Sequence, residues 1–180
     1  MTYQQVTLIN GFPYDVTVIN DMSAELASRS RAGLGIIKRH NRTTASSTTT
    51  TEVGVVRIDN VPVSVGRLYR IWTSAVIFNS TVANDLIDAR IRVNLAGTAT
   101  TSSTQLGGLV ENAHSAGSSQ KTKAFTVPWV PGSSGNASVL LSVARSLGTG
   151  NVNLIGQAGY PIDLVIEDCG LDPGASGVNI

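Results

Sequence analysis

The sequence has few residues of the types that carry metal or redox chemistry. Its 180 residues include a single cysteine, Cys169, and two histidines, His40 and His114. One cysteine excludes an internal disulfide framework and a thiolate zinc cluster. Both histidines lie in polar stretches and are interpreted as solvated loop residues. Cys169, near the last apolar run, is predicted to be a small buried hydrophobic residue.

Charge is also scarce, at 14% of residues with a net charge of +1, where about 25% charged residues is usual. A near-neutral balance argues against a general nucleic-acid binder, which usually carries a basic excess. Interfaces between subunits are depleted in charge. The composition therefore favours a protein that assembles with other subunits, although a secreted, stalk-like protein would share it.

Long apolar runs are absent. No segment reaches the roughly 20 apolar residues of a membrane span, and residues 1–20 lack the basic start and apolar run of a secretory signal. We therefore expect a soluble product made in the cytoplasm, without membrane association. If the protein acts outside a cell, something other than a signal peptide of its own must export it.

Motifs for catalysis are missing as well. The chain contains no Gly-x-Ser-x-Gly elbow and no Gly-x-x-x-x-Gly-Lys loop. Asp85 and Asp88 would bind a cation if they shared a helical turn, whereas Glu167 and Asp168, adjacent on a strand, point to opposite faces. The two opposed catalytic acids of a glycosidase have no characteristic separation in sequence, so a glycosidase stays open as an alternative. We predict no enzyme, no cofactor and no metal.

The first quarter of the chain differs from the rest. Residues 22–31 carry the one clear helix signal, with Asp21 or Ser23 as the cap and Gly33 as the stop. The polar run 43–51 that follows is interpreted as a linker or an exposed extended segment. The sequence predicts an N-terminal arm, residues 1–45, that attaches the protein to a larger assembly. The sandwich domain is predicted at 46–180, with 52–180 folding independently.

Basic residues concentrate in this arm. They are the candidate partner-binding residues Arg29, Arg31, Lys38, Arg39 and Arg42. Such a cluster favours encounter with an acidic partner surface. The alternative interpretation is a solvated helix end whose cations complement the helix dipole.

From residue 52 onward the sequence alternates in the manner of β-strands. Ile91, Val93 and Leu95 alternate with Arg90, Arg92 and Asn94, the period of a strand with one buried and one wet face. At least seven strands are predicted, among them 53–61, 68–78, 89–95, 125–129, 139–144, 152–155 and 162–166. Many short strands separated by turn signals indicate an all-β fold, an antiparallel sandwich of jelly-roll type.

One segment, residues 96–123, fits a free-standing domain poorly because it is long and mostly polar. Loops beyond about 12–15 residues are usually functional or disordered. Residues 106–111 offer one more strand, which shortens the segment without removing it. We therefore expect a neighbouring subunit to order it in a closed oligomer, with a trimer favoured.

Three short patterns resemble a known group of proteins: "VP…GR.YRI", "ST.A.D…ARIR" and a closing "L.IED.G". The chain resembles virion proteins of tailed bacteriophages, particularly those infecting actinobacteria, that serve as minor tail, head-fibre or capsid-decoration proteins. The residues that carry the resemblance are Val61, Pro62, Gly66, Arg67, Tyr69, Arg70, Ile71, Ala89, Arg90, Ile91, Arg92, Ile166, Glu167 and Asp168. The resemblance implies a viral structural jelly roll, commonly trimeric, attached through its N-terminal region.

Two functions follow as expectations. The first is a virion protein that decorates and stabilises a capsid, with the major capsid protein as partner. The alternative is a tail-associated protein that binds a receptor or carbohydrate, with tail proteins as partners and a glycan as ligand. The absence of a repetitive shaft favours the first. Trp72 and Tyr160 are candidates for stacking on sugars, but core or interface packing is the preferred interpretation of both.

Overall fold

The computed structural model describes residues 33–74, 76–113 and 120–174, together with two short strands at 6–7 and 13–14. Every regular element in these ranges is a β-strand, as the alternation predicted. The strands are β1 (Val6–Thr7), β2 (Pro13–Tyr14), β3 (Gly35–Arg42), β4 (Val53–Val63), β5 (Arg67–Thr73), β6 (Val76–Ser80), β7 (Leu86–Asn94), β8 (Thr104–Asn112), β9 (Gln120–Lys123), β10 (Thr126–Trp129), β11 (Gly135–Leu147), β12 (Val152–Ile155) and β13 (Ile162–Leu171).

The strands pair antiparallel throughout. The front sheet has the order β10-β5-β13-β3, the back sheet β4-β11-β7-β8 and the side sheet β12-β6-β9, while β1 pairs with β2 alone. Each side-sheet strand adjoins a front-sheet strand in sequence (β6 with β5, β9 with β10, β12 with β13), so the side sheet prolongs three front-sheet strands. The predicted antiparallel sandwich architecture agrees with this arrangement.

The core lies between the front and back sheets. Ile87, Ala89 and Ile91 of β7 are fully buried, and their register alternates as the sequence predicted. Facing them, the rings of Tyr69 and Trp129 in the front sheet pack with centroids 5.9 Å apart. Large apolar side chains buried from both sheets are the main source of folding free energy in such a domain.

The strand β3 changes the predicted domain boundary. Residues 35–42 were assigned to the N-terminal arm, but the structure pairs them with β13 from Ile162↔Arg42 to Asp168↔Gly35. The polar pattern of this strand hid it from sequence analysis, because an edge strand buries only part of its surface. The helix predicted at 22–31 lies outside the described residues, and the role of residues 1–32 as an attachment arm stays a prediction.

The predicted linker is docked against the side sheet. The backbones of Thr49 and Val152 exchange two hydrogen bonds of 2.9 Å, and the Ser46 amide donates to the Leu154 carbonyl at 2.8 Å. The Ser46 hydroxyl also accepts from the Leu154 amide, so both polar side chains, Ser46 and Thr49, are buried. Of the two interpretations of residues 43–51, the exposed extended segment fits and the linker does not: Ser46 and Thr49 bond to the neighbouring strand, and the other side chains are exposed.

Residues 68–78, predicted as one strand, form two. The chain leaves the front sheet after Thr73 and enters the side sheet at Val76. At the break the hydroxyl of Ser74 accepts a hydrogen bond from the Asp163 amide and donates to the Pro161 carbonyl. The period of two assigned to residues 68–78 did not reveal this transfer, because it holds in β5 but not in β6, where Val76, Ile77 and Phe78 are all buried.

The long polar segment is largely ordered within this single chain. It contains β8, paired with β7 along its length, and β9, paired with β6. The extra strand predicted at 106–111 is therefore confirmed. A neighbouring subunit is not needed to organise β8 and β9, so this part of the argument for an oligomer fails.

Cys169 was predicted to be buried and is exposed. It lies on the face of β13 shared with Glu167, past the buried run that ends at Ile166. None of the described ranges contains a helix with the length and apolar character needed to cross a bilayer.

Candidate partner-binding surface

Three of the five candidate basic residues lie together on β3, while Arg29 and Arg31 fall outside the described residues. Arg39 forms a bidentate ion pair with Asp163 on the adjacent strand: Nε donates to Oδ1 at 3.0 Å and Nη2 to Oδ2 at 2.9 Å. Such bidentate pairs hold the guanidinium in one plane. The Arg39 side chain is nevertheless 55% exposed, so it remains accessible to a partner.

Lys38 and Arg42 connect β3 to the back sheet through hydrogen bonds. The Lys38 ammonium donates to the Asp59 carbonyl at 2.9 Å, and Arg42 Nη1 donates to the Val55 carbonyl at 2.9 Å. Both acceptors belong to β4, the edge strand of the back sheet. These two cations therefore close the sandwich along the β3–β4 edge.

The solvent face of the front sheet carries two cross-strand rows around Arg39. One row runs Arg39, Val165, Trp72 and Thr126 across four strands. Val165 is only 1% exposed although it lies on the solvent face, so its neighbours in the row shield it. This row therefore places the Arg39 guanidinium and the half-buried Trp72 indole on the two sides of buried Val165.

The second row of the front sheet runs Ile36, Glu167, Arg70 and Pro128. Arg70 Nε donates to Glu167 Oε2 at 3.0 Å, and this hydrogen bond raises the pKa of Arg70. Ile36 is 60% exposed, and Leu34 at the start of the strand is 72% exposed. We call the two rows with Leu34 the front face.

The front face also contains a polar atom without a partner. The Nε1 atom of Trp72 is buried and makes no hydrogen bond in the described structure. Tyr160, the other aromatic residue considered for sugar stacking, is exposed in a turn closed by paired backbone bonds between Gln157 and Tyr160.

The outer face of β7 holds an ionic cluster that the sequence did not reveal. Arg90 and Arg92 were predicted to lie in water, but Glu52 accepts from both: Arg90 Nη1 at 2.6 Å and Arg92 Nη2 at 2.7 Å. Arg90 Nε also donates to Asp88 at 2.8 Å, and the Ser142 hydroxyl donates to Glu52 at 2.6 Å. These five side chains are mostly buried.

The charge on Glu52 is strongly stabilised. Burial would raise the pKa of Glu52, but hydrogen bonds from Arg92, Ser142 and Arg90 outweigh it and lower the pKa to about 2. Glu52 lies just before β4, outside any alternating pattern, so its role depends on strand pairing alone.

Glu167 and Asp168 point to opposite faces, as predicted. Glu167 pairs with Arg70 on the front face, whereas Asp168 is 2% exposed and accepts from Arg67 Nε at 2.8 Å. Each carboxylate is held by an arginine of β5, the neighbouring strand. They form two structural ion pairs and share no reaction centre.

The helical turn that would bring Asp85 and Asp88 together around a cation does not form. Asp88 lies within β7 and Asp85 just before it, so the two share no helical turn. Asp85 is buried, and its oxygens accept from the Ser80 hydroxyl at 2.6 Å and the amides of Thr149 and Gly150 at 3.0 and 2.9 Å. Among the described residues, no group of three or more His, Cys, Asp or Glu side chains could hold a metal ion.

Asp85 is the anchor of the β11–β12 turn, and replacing it with asparagine should loosen that turn. Burial would raise the pKa of Asp85, but its hydrogen bonds lower it, so the native acceptor is charged. We expect Asp85→Asn to lower the free energy of unfolding by about 1–3 kcal/mol, measured by urea denaturation.

Asp172→Asn is the matched control, because exposed Asp172 accepts one amide, that of Gly174 at 3.1 Å; we expect a change below about 0.5 kcal/mol. A chelator should leave the melting temperature of the wild-type protein unchanged. Equal effects of the two substitutions, or a melting temperature that falls with the chelator, would contradict this assignment.

A groove opens at one end of the sandwich, bounded by the loop between β7 and β8 and by the end of β10. Its volume is about 650 Å³, and its lining includes Asn94, Thr98, Thr104, Leu106 and Trp129. All the lining side chains are uncharged. We call it the end groove. Sequence analysis treated this loop as part of the unexplained polar segment.

Comparison by sequence finds no matching family model and no matching curated protein. Comparison by structure finds weak similarities. Dimeric latent PorU from Porphyromonas gingivalis matches with a TM-score of 0.42 and 11% identity, over 78% of this chain and 13% of that chain. The T=1 particles derived from infectious bursal virus match with a TM-score of 0.37 and 13% identity, over 74% of this chain and 36% of that one.

A CBM4 structure also matches, with a TM-score of 0.24 and 13% identity, over 74% of this chain and 93% of the other. The chain thus spans well under half the length of PorU and of the bursal virus protein. Viral capsid proteins are among these neighbours, but similarities of this size carry no argument about what the protein does.

Proposed function

We propose that this protein is a non-enzymatic structural protein of a bacteriophage virion, which decorates and stabilises the capsid surface as a homo-oligomer. The favoured oligomer is a trimer, and the partner is the major capsid protein. The observation that carries the proposal is the front face, where exposed apolar side chains adjoin held arginines and a half-buried tryptophan. Interface cores are enriched in aromatic residues and arginine.

Parts of two resembling patterns meet in the front sheet. The "GR.YRI" pattern lies on β5 and the "L.IED.G" pattern on β13, and these strands are neighbours. Arg67 pairs with Asp168 and Arg70 with Glu167, so the two patterns are joined by ion pairs across about a hundred intervening residues. The third pattern, "ST.A.D…ARIR", ends on β7 in the back sheet, so the resembling residues lie in both sheets.

The strand order supports a jelly roll. When β5 with β6, β9 with β10 and β12 with β13 each count as one bent strand, eight strands run from β3 to β13. The front sheet then has the order sixth, third, eighth, first, and the back sheet second, seventh, fourth, fifth. Two Greek keys joined in this way make the eight-stranded jelly roll found in viral capsid and lectin domains.

The test uses the full chain and virion particles that lack it. We expect the wild-type protein to bind such particles at a copy number that matches the capsid lattice, and to be a closed oligomer by light scattering. The double variant Leu34→Asp/Ile36→Lys should bind at least about tenfold more weakly, because charge would be buried at the contact, and tenfold corresponds to 1.4 kcal/mol.

The matched control is Val110→Lys, since Val110 is 53% exposed on β8 of the back sheet. This variant should bind as the wild type does. Full binding by the double variant would exclude the front face as the attachment surface. Failure of the wild-type protein to bind particles would overturn the virion function itself.

The alternative function, a tail-associated protein that binds a receptor or carbohydrate, is favoured by a separate observation, the end groove. A low copy number with attachment at the tail would select it over capsid decoration.

A further inference from the structure

We infer that the end groove is a binding site for a neutral saccharide. The inference names the ligand of the alternative function, and it does not rest on capsid decoration, because it depends on a different part of the molecule. Its volume of about 650 Å³ falls in the range of small-molecule sites. A short oligosaccharide is of the matching size and chemistry.

The wall of the groove is held from within the loop. The Ala96 amide donates to Asn94 Oδ1 at 3.0 Å, and Asn94 Nδ2 donates to the Thr98 carbonyl at 3.1 Å. Farther along, the Thr100 amide donates to the Ser103 hydroxyl at 2.9 Å. One asparagine and one serine thus fix both halves of the loop.

The loop is also fastened to the sandwich. The Ala99 amide donates to the Ser138 hydroxyl of β11 at 2.8 Å, and Ala99 is only 1% exposed. Arg92 Nη1 of β7 donates to the Ser103 carbonyl at 2.7 Å. A loop fixed at both points loses little further entropy when a ligand binds, which raises affinity for a weakly bound ligand.

Two hydroxyls in the groove have no partner in the described structure. The side-chain hydroxyls of Thr98 and Thr104 make no hydrogen bond, although both residues line the groove. The nearby hydroxyls of Thr100 and Ser102 bond to each other at 2.9 Å. A hydroxyl both donates and accepts, so Thr98 and Thr104 match the hydroxyl groups of a sugar in either sense.

Apolar side chains complete the site. Leu106 and Trp129 line the groove. Leu106 is partly buried and Trp129 is 7% exposed, so each presents only part of its side chain there, and the Trp129 ring packs against Tyr69. A pyranose ring carries C–H groups on its faces and hydroxyls on its rim, which fits an apolar surface bordered by hydroxyls.

The absence of charge in the lining selects among ligands. An anionic or cationic ligand would lose hydration without gaining a charged partner, which is costly. A neutral saccharide loses only hydroxyl hydration, and the free hydroxyls of Thr98 and Thr104 replace it.

The experiment presents the full-length protein to an array of neutral, sialylated and sulfated oligosaccharides. The best neutral oligosaccharide is then titrated into ¹⁵N-labelled protein. The chain has two tryptophans, so the two indole signals are readily assigned. We expect the indole signal of Trp129 to shift and that of Trp72, on the front face, to stay.

Thr98→Val/Thr104→Val removes both hydroxyls at nearly constant shape and should weaken binding at least tenfold. Thr126→Val removes an exposed hydroxyl of the front face and should leave binding unchanged. Binding of charged oligosaccharides alone, no binding on the array, a shift confined to Trp72, or undiminished binding by the double variant would each overturn the site. None of these outcomes bears on attachment through the front face.

Discussion

Removal of residues 1–50 is expected to abolish cooperative folding, whereas removal of residues 1–32 should leave a folded domain. The longer deletion takes away β3, which pairs with β13 along its whole length. It also removes Thr49 and Ser46 from beside the side sheet. The unpaired edge of β13 would then lose its hydrogen bonds and its cover together.

The energetic scale supports a complete loss. A domain of this kind is stable by only about 5–15 kcal/mol. Without β3, β13 loses the backbone hydrogen bonds along Ile162–Asp168, each worth about 0.5–1.5 kcal/mol. Asp163 also loses its pairing with Arg39, and the backbone bonds of Ser46 and Thr49 to the side sheet are lost as well. The sum is comparable with the whole stability.

Thermal denaturation followed by circular dichroism distinguishes the two deletions. The shorter deletion, which begins the chain at Gly33, is the control, because it keeps β3 intact. A cooperative transition in the protein that begins near residue 51 would show that β3 is dispensable, and would restore the boundary predicted from the sequence. The shorter deletion also tests the arm directly, since it should lose particle binding if residues 1–32 attach the protein.

Replacing Glu52 with glutamine is expected to cost about 3 kcal/mol of stability at neutral pH. The pKa of Glu52 falls from 4.5 to about 2 in the folded protein, and each pKa unit corresponds to 1.36 kcal/mol. The substitution leaves Arg90 and Arg92 without their shared carboxylate while both side chains are mostly buried. Urea denaturation at pH 7 measures the loss.

The same cluster predicts a dependence on pH. Because the folded pKa lies below the unfolded one, the contribution of Glu52 is fully present above about pH 4.5 and is lost as the pH falls toward 2. The wild-type protein should therefore lose stability over this window more steeply than Glu52→Gln does. Parallel curves would contradict the assignment.

Glu167→Gln is the matched control for Glu52→Gln. Glu167 also pairs with an arginine, but Arg70 is 51% exposed, and exposed pairs contribute about 0–1 kcal/mol. If both substitutions lower the free energy of unfolding by the same amount, the burial of the ionic cluster around Glu52 has no energetic role.

The sequence by itself determined the all-β class and the faces of several strands. Alternation with period two is a local property, and in β7 it identified Ile91 and Val93 as core residues without knowledge of any partner strand. It also set Glu167 and Asp168 on opposite faces of β13, because neighbouring side chains of any strand diverge.

Only the tertiary structure decided which residues meet. Glu52 joins Arg92 and Ser142 from 40 and 90 positions away, and β3 becomes a strand because β13 offers it an edge. Cys169 is exposed because it lies past the buried part of its strand, and the end groove exists because a loop is fastened to β11 through Ser138. Such contacts depend on how strands are ordered in space, and the local period of a sequence carries no information about that order.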